Sequence, residues 1–263
     1  MSDAGTCLKV KVAGPVATVT LARPEVRNAL DETLIGTLAQ AFQKLGVAEV
    51  VRVVVLEGEG KDFCAGADVT WMRRAAQLPH EDNLRDAMQL AVMADAVDRC
   101  PKPVIGIVHG AVLGGGAGLA AACDVVLASE DSFFSLPEVR LGLEPGLMGR
   151  QLVDAIGLRA ARRYCLTGER FDAREAARLG LVHAVIAADR LAEARDRVVE
   201  ACLKGAPGAQ AATKELLRVL ADAEAGPDLM RLTAQRLADQ RAGAEGREGL
   251  DAFVEKRKPA WQW

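Results

Sequence analysis

The chain reads as an α/β protein, and three observations predict it. Short apolar runs that read as buried strands alternate with segments of helical periodicity up to about residue 190. Two of those runs end in stretches of small residues. From Leu191 onward the sequence is rich in Ala, Leu and Arg, with helical stripes and little strand signal.

The first strand is expected at Val16 to Leu21, which alternates, and Ala22-Arg23-Pro24 ends it. Asp31 can cap a helix with an apolar face of Leu34, Leu38, Ala41, Phe42 and Leu45, and Gly46 is the expected stop. Val51 to Leu56 reads as a buried strand that delivers Phe63-Cys64-Ala65-Gly66-Ala67-Asp68. Leu84, Ala87, Met88, Ala91 and Val92 form a second helical stripe. Pro101 and Pro103 open the strand Val104 to Val108, which delivers Leu113-Gly114-Gly115-Gly116. A helix is expected over Gly118 to Ala122 and a strand over Asp124 to Ala128. The helical region from Leu191 turns near Gly205-Ala206-Pro207-Gly208 and Gly226-Pro227, so residues 1–190 read as a core and 191–263 as a helical C-terminal region.

Composition narrows the function. With 263 residues, 50% hydrophobic and 26% charged, the chain can bury a sizeable core. A net charge of −3 makes no case for nucleic acid or a membrane surface as partner. The N-terminal residues lack the basic and apolar regions of a secretory signal, and no apolar run is long enough to span a bilayer. Six scattered cysteines without a C-x-x-C pair suggest reduced thiols and a cytoplasmic protein. The three histidines, His80, His109 and His183, have no metal-ligand spacing, so neither a metal site nor a His-based triad is expected.

The two small-residue stretches carry the chemistry. Where nothing stands at Cβ, a bound group can approach the backbone. Two N–H groups converging from two such loops would make an oxyanion hole, which stabilises negative charge building on a carbonyl oxygen. The triple glycine lacks the Lys-Ser/Thr of a phosphate loop, and close packing of a helix start on a strand is the alternative for it.

Seven ordered segments carry a resemblance. They are Leu21-Ala22-Arg23-Pro24 with Arg27-Asn28-Ala29-Leu30; Gly60 to Asp68; Pro101 to Gly106; the triple glycine with Cys123-Asp124; Leu136-Pro137-Glu138-Val139; Leu166-Thr167-Gly168 with Ala176 to Val182; and Ala252 to Arg257. In these the chain resembles the enoyl-CoA hydratase/isomerase (crotonase) family nearly end to end. The resemblance implies a crotonase-like spiral of β-β-α turns followed by a helical C-terminal trimerisation region, assembled as a homotrimer or homohexamer. It implies acyl-CoA thioester substrates and no separate cofactor, coenzyme A being part of the substrate. It puts the oxyanion hole on the N–H groups of Ala67 and Gly115. It also implies a substrate-binding surface of Ala29, Ala65, Gly66, Asp68, Trp71, Gly114 and Gly118, with Phe253 and Lys256 touching coenzyme A, often from a neighbouring subunit. For Lys256 a solvated basic tail is the alternative.

Two departures bear on mechanism. The best-known hydratases of this family use two glutamates. The second matches Glu138, while the first position is Gly118, which has no side chain. Glu144 stands where many relatives are apolar, and it either faces the pocket in place of the missing acid or faces solvent. Asp68 to Met72, Gly118, Glu138 to Leu143 and Ala160 to Tyr164 are similar to bacterial hydratases of methylglutaconyl-CoA and longer branched glutaconyl-CoAs. The expected activity is therefore hydration of a 2-enoyl-CoA. A Δ3,Δ2-enoyl-CoA isomerase working with one glutamate is the alternative, and a non-catalytic CoA-binding homologue the third reading.

Overall fold

The computed structural model describes residues 7–146 and 148–262. β1 (Leu8–Ala13) and β2 (Val16–Leu21) form an antiparallel pair, and α1 (Glu32–Val47) follows, capped by Asp31. β3 (Val53–Gly58) leads to α2 (Val69–Ala75) and α3 (His80–Asp98). β4 (Val104–Val108), β5 (Ala111–Leu113) and α4 (Gly115–Ala121) make the next turn. β6 (Val125–Ser129), β7 (Phe133–Ser135) and α5 (Gly149–Thr167) make another. β8 (Phe171–Asp172), α6 (Ala173–Leu179) and β9 (Ala184–Ile186) close the sheets. The helices α7 (Leu191–Leu203), α8 (Pro207–Asp222), α9 (Pro227–Ala242) and α10 (Ala244–Val254) complete the chain.

The strands fall into two sheets. One has the order β1-β2-β3-β4-β6-β9 and is parallel from β2 onward; the other is β5-β7-β8, with β5 and β7 parallel. After the β1-β2 hairpin, whose strands both lie in the first sheet, the turns that start with β4 and β6 place one strand in the first sheet and the next in the second, then add a helix. The turn after β3 obeys the same rule with a single bridge, Cys64 beside Val112. This is the spiral of β-β-α turns.

The main core lies where α1, α3 and α4 meet the sheets, around Leu34, Leu38, Phe42, Leu56, Phe63, Met93, Leu119 and Phe134. A smaller core on the other face of the large sheet joins Val53, Val55, Ile105, Ile107 and Leu127 to Ala194 and Val199 of α7. The C-terminal region is helical as expected. Its first helix covers the large sheet, while α10 packs on α8 and α9.

Several elements differ from expectation. β1, β5 and β7 are strands that the sequence did not announce. Three residues cannot display an alternation, and β1 buries only Leu8. α1 runs past Gly46 to Val47, because Gly46 is there for packing: a Cβ on it would lie 3.1 Å from the Pro101 ring. The strand expected over Val51 to Leu56 begins two residues later, since the Arg52 N–H bonds the Pro15 carbonyl. α4 begins at Gly115 rather than Gly118, directly after the positive φ of Gly114. The expected stripe on α3 is turned outward, with Leu84, Met88 and Val92 exposed and Met93, Ala94 and Val97 buried. No helix of the described residues is long and apolar enough to cross a membrane.

Candidate active site

Three consecutive turns of the spiral bring the site together. Cys64 pairs with Val112, and Val112 pairs with Phe134, so these three residues lie side by side in the second layer. Ala67, Gly115 and Glu138 follow them by three, three and four residues. With adjacent strands about 4.8 Å apart, the three positions are neighbours in that order.

The first two turns approach closely because they are built of small residues. A Cβ on Gly116 would lie 2.5 Å from the Cys64 carbonyl oxygen and 2.8 Å from its Cβ. Gly66 takes a φ of +93°, and a Cβ there would meet the Leu113 carbonyl oxygen at 2.9 Å. The two nitrogens that result lie close to each other: a Cβ on Gly66 would lie 3.7 Å from Gly115 N, and one on Gly115 would lie 4.0 Å from Ala67 N. Neither N–H has a backbone acceptor among the described residues. The Ala67 strand is held from its other side, where the Leu30 N–H bonds the Gly66 carbonyl and the Asp68 N–H bonds the Leu30 carbonyl, each at 2.8 Å.

Glu138 opens a single 3-10 turn, Glu138–Leu141, after β7. Arg140 anchors that turn by donating to the Thr167 carbonyl at the end of α5, a cation set against a helix C-terminus. The Ser135 hydroxyl donates to the Gly168 carbonyl just beyond it. Glu138 Oε1 lies 2.8 Å from where a Cβ on Gly114 would stand, so the carboxyl rests on the start of α4. Its Oε2 is buried without a hydrogen-bond partner. Burial pushes the Glu138 carboxyl above its ordinary value, and a bond from its own backbone N–H offsets only part of this.

The sequence-derived residues divide into groups. Ala67, Gly115, Glu138, Gly66 and Gly114 come together. Ala65 donates its N–H to the Arg27 carbonyl, and the Ala29 carbonyl accepts from Arg23, so both belong to the same frame. Asp68 is fully used as a cap: its Oδ1 accepts from the N–H groups of Thr70 and Trp71, and Oδ2 faces Arg23. Trp71 is buried and donates to Asp86 on α3. Glu144 is exposed. Phe253 is 84% exposed at the end of α10, and Lys256 follows it with a positive φ and an exposed side chain. Within one chain Phe253 and Lys256 are not brought into the group around Glu138, while Glu144 follows Leu143, whose N–H bonds the Glu138 carbonyl, with its side chain exposed. The Cys64 thiol is buried and pushed up to about 12 by desolvation, which fits a packing role.

Gly118 has a different surrounding from the one an empty acid position suggests. Its missing side chain is replaced by Met148, whose Sδ and Cβ lie 2.3 and 2.4 Å from where a Cβ on Gly118 would be. Sequence reasoning missed Met148, because it is remote in the chain and no motif contains it.

It also missed the residues that hold the oxyanion loop. Asn28 is fully buried with a φ of +54°; its amide donates to the Glu59 and Asp62 carbonyls and accepts from the Arg23 N–H. Buried Asp62 accepts from Ala111 N–H at 2.8 Å and pairs with Arg27 at 2.7 Å. Arg23 links Asp31 and Asp68, the caps of α1 and α2. Their only sequence signal was membership of the matched segments.

With this geometry in hand, comparison with known proteins gives one answer. The model of the family described as "Enoyl-CoA hydratase/isomerase" matches residues 11–263. An enoyl-CoA hydratase of Alternaria alternata is 35% identical over 237 residues, 89% of this chain and 77% of that protein. The crystal structure of an enoyl-CoA hydratase from Shewanella pealeana superposes with a TM-score of 0.95 at 39% identity, covering 97% of this chain and 96% of that one. AtuE of Pseudomonas aeruginosa superposes with a TM-score of 0.94 at 39% identity, covering 98% of this chain and 100% of that one.

The Asp62 contacts give a stability prediction. Burial alone would raise this carboxyl, but the Arg27 and Ala111 bonds outweigh it and hold the pKa below the ordinary 3.8. A carboxyl depressed in the fold stabilises it above the unfolded value, and that stability is lost as pH falls through the lower folded value. Asp62→Ala should cost about 1–3 kcal/mol at neutral pH, since it strands the Ala111 N–H. It should also flatten the loss of stability below pH about 4. Urea midpoints measured against pH for both proteins check this; an unchanged acid slope in the variant would contradict the assignment.

Proposed function

Because the chain belongs to the enoyl-CoA hydratase/isomerase family, we propose that it adds water across the Cα=Cβ bond of a 2-enoyl-CoA thioester. The observation that carries this reading is the alignment of a half-buried carboxyl, one oxygen of which is buried without a partner, with two unpartnered N–H groups on successive turns. The thioester oxygen would accept from Ala67 and Gly115. Negative charge reaches that oxygen only when a nucleophile adds at Cβ, so the two donors act mainly in the transition state. Glu138 takes a proton from water as the water oxygen bonds Cβ, and the electron pair of the double bond moves into the enolate. Glu138 then returns the proton to Cα, and the elements of one water have been added. Its raised pKa suits a group that must take and give a proton in one cycle.

Isomerisation of a 3-enoyl-CoA is the second reading. It needs only one shuttling carboxylate, and Met148 standing where a second would be favours it. Branched or glutaconyl-type acyl groups are the proposed substrates, on the similarity of the segments around Trp71, Gly118 and Arg140 to hydratases of that type. A trimer or hexamer is the proposed assembly. The exposed Met230, Leu237, Leu250 and Phe253 of α9 and α10 support it, since such faces are usually buried against a partner; a monodisperse monomer in light scattering would contradict it. Six cysteines, none of them in a disulfide, suit a cytoplasmic setting.

Incubation with crotonyl-CoA, a 3-enoyl-CoA and 3-methylglutaconyl-CoA, read by mass spectrometry, separates the reactions. Hydration adds one water and isomerisation leaves the mass unchanged. Glu138→Gln should lower kcat about 10²-fold or more with coenzyme A binding retained. It should also raise the unfolding temperature at neutral pH. An acid held above its unfolded value of 4.5 costs the fold stability once pH exceeds that value, and the amide removes the cost. Near wild-type turnover would refute the role of Glu138. Gly115→Val puts a branched side chain against Leu30 beside Ala67 N. It should remove about 2–4 kcal/mol of transition-state stabilisation, read from kcat/KM. A complex with an acyl-CoA whose carbonyl oxygen lay away from both N–H groups would contradict the site.

A further inference from the structure

Resting on this reading of the site, the geometry points to Met148 as a specificity-determining residue. Its side chain takes the place left by the missing side chain of residue 118, and there it limits the size of the acyl substituent that can lie beside Glu138.

The argument begins on α4. Gly114 and Gly118 are one turn apart, joined by the Gly118 N–H bond to the Gly114 carbonyl at 3.1 Å. Gly114 is the N-cap, with φ +49° and ψ −119°, so its Cβ direction is not that of a helical residue, but the bond puts its Cα about 6 Å from that of Gly118, one turn on. A Cβ on Gly114 would meet Glu138 Oε1 at 2.8 Å; a Cβ on Gly118 would meet the Met148 side chain at 2.3 to 2.8 Å. The carboxyl and the thioether therefore lie against neighbouring positions of the first turn of α4. Met148 is 5% exposed and belongs to the main core, packed at the start of α5. It is not a loose side chain that swings aside at no cost.

The chemistry of the pair follows. A thioether has no proton to donate and accepts only weakly. Met148 can therefore neither bond the unpartnered Glu138 Oε2 nor hold a water for it. It contributes volume and dryness. The reacting carbons must lie within reach of Glu138, so any branch carried there meets the Met148 wall. An unbranched, flexible side chain in this place fills irregular space, and its length sets how much room remains.

Saturated acyl-CoAs test this, because they bind without reacting. Affinities of butyryl-CoA and 3-methylbutanoyl-CoA would be measured by calorimetry on the wild-type chain, Met148→Ala and Met148→Leu. Met148→Ala should raise the affinity of the branched ligand relative to the straight one about tenfold or more, the scale of one added carbon in an apolar pocket. Met148→Leu should stay near wild type. In turnover, the acid limb of kcat/KM should move down for Met148→Ala, because water then reaches Glu138. An unchanged affinity ratio with an unchanged acid limb overturns the proposal. Should Met148→Ala fail to fold, Gly118→Ala reads the contact from the other side. The added methyl pushes the thioether toward the acyl group and should lower the branched-to-straight ratio about tenfold; an unchanged ratio there is equally fatal. A wild-type chain that binds acyl-CoAs but transforms none refutes the proposed reaction, while the affinity ratio still decides the role of Met148. A chain that binds no acyl-CoA refutes both.

Discussion

The site depends on one register. Cys64, Val112 and Phe134 stand side by side in the second layer, and that pairing sets where the next few residues of each turn fall. The pairing is possible only while Gly116 can sit against Cys64 and Gly66 against the Leu113 carbonyl. A methyl group at either place would force the layers apart by a good fraction of the strand spacing. The nitrogens of Ala67 and Gly115 would then no longer lie beside each other. In the proposed reaction, donors fixed in this way need no reorganisation when charge develops. The constraint is steric, and the chemistry is its consequence.

The acids of this chain show how environment assigns roles to one functional group. Asp62 is as deeply set as any carboxylate described, yet Arg27 and the Ala111 N–H keep it ionised and committed to holding a loop. Glu175, half-buried and bonded by Arg178 and Tyr164, is held down at about 2 and fastens α5 to α6. Among the described acids, Glu138 has a fully buried oxygen with no hydrogen-bond partner. A carboxyl in that state is a cost to folding, and its persistence is better explained by proton transfer than by structure.

Much of this was legible in the sequence. Buried parallel strands such as Val104–Val108 are continuous apolar runs, and α1 announces itself with a cap and a stripe. Small-residue loops after such strands pointed to an oxyanion hole, and the resemblance to the family put it on Ala67 and Gly115. What stayed hidden was of two kinds. β5, β7 and the Cys64 bridge are too short for periodicity to register, although they set the alignment of the site. Contacts such as Gly118 with Met148 and Arg23 with Asp68 join residues tens of positions apart, and no local pattern encodes them. Resemblance to a family named the matched acid at Glu138 but was silent on what replaced the other one.

That replacement shows how a glycine should be read when it stands in place of a functional side chain. An empty position suggests a lost function and a wider cavity. Here the volume is not empty: a side chain from the start of α5 fills it, and the glycine leaves it room, although a side chain can shift where the Cys64 backbone facing Gly116 cannot. Gly118 and Met148 therefore form one unit, and a change at either alone meets a clash or leaves a void. Restoring an acid at residue 118 would need a second change at residue 148. The step between one and two carboxylates is thus a concerted repacking of α4 against α5, since each intermediate is worse packed than either end.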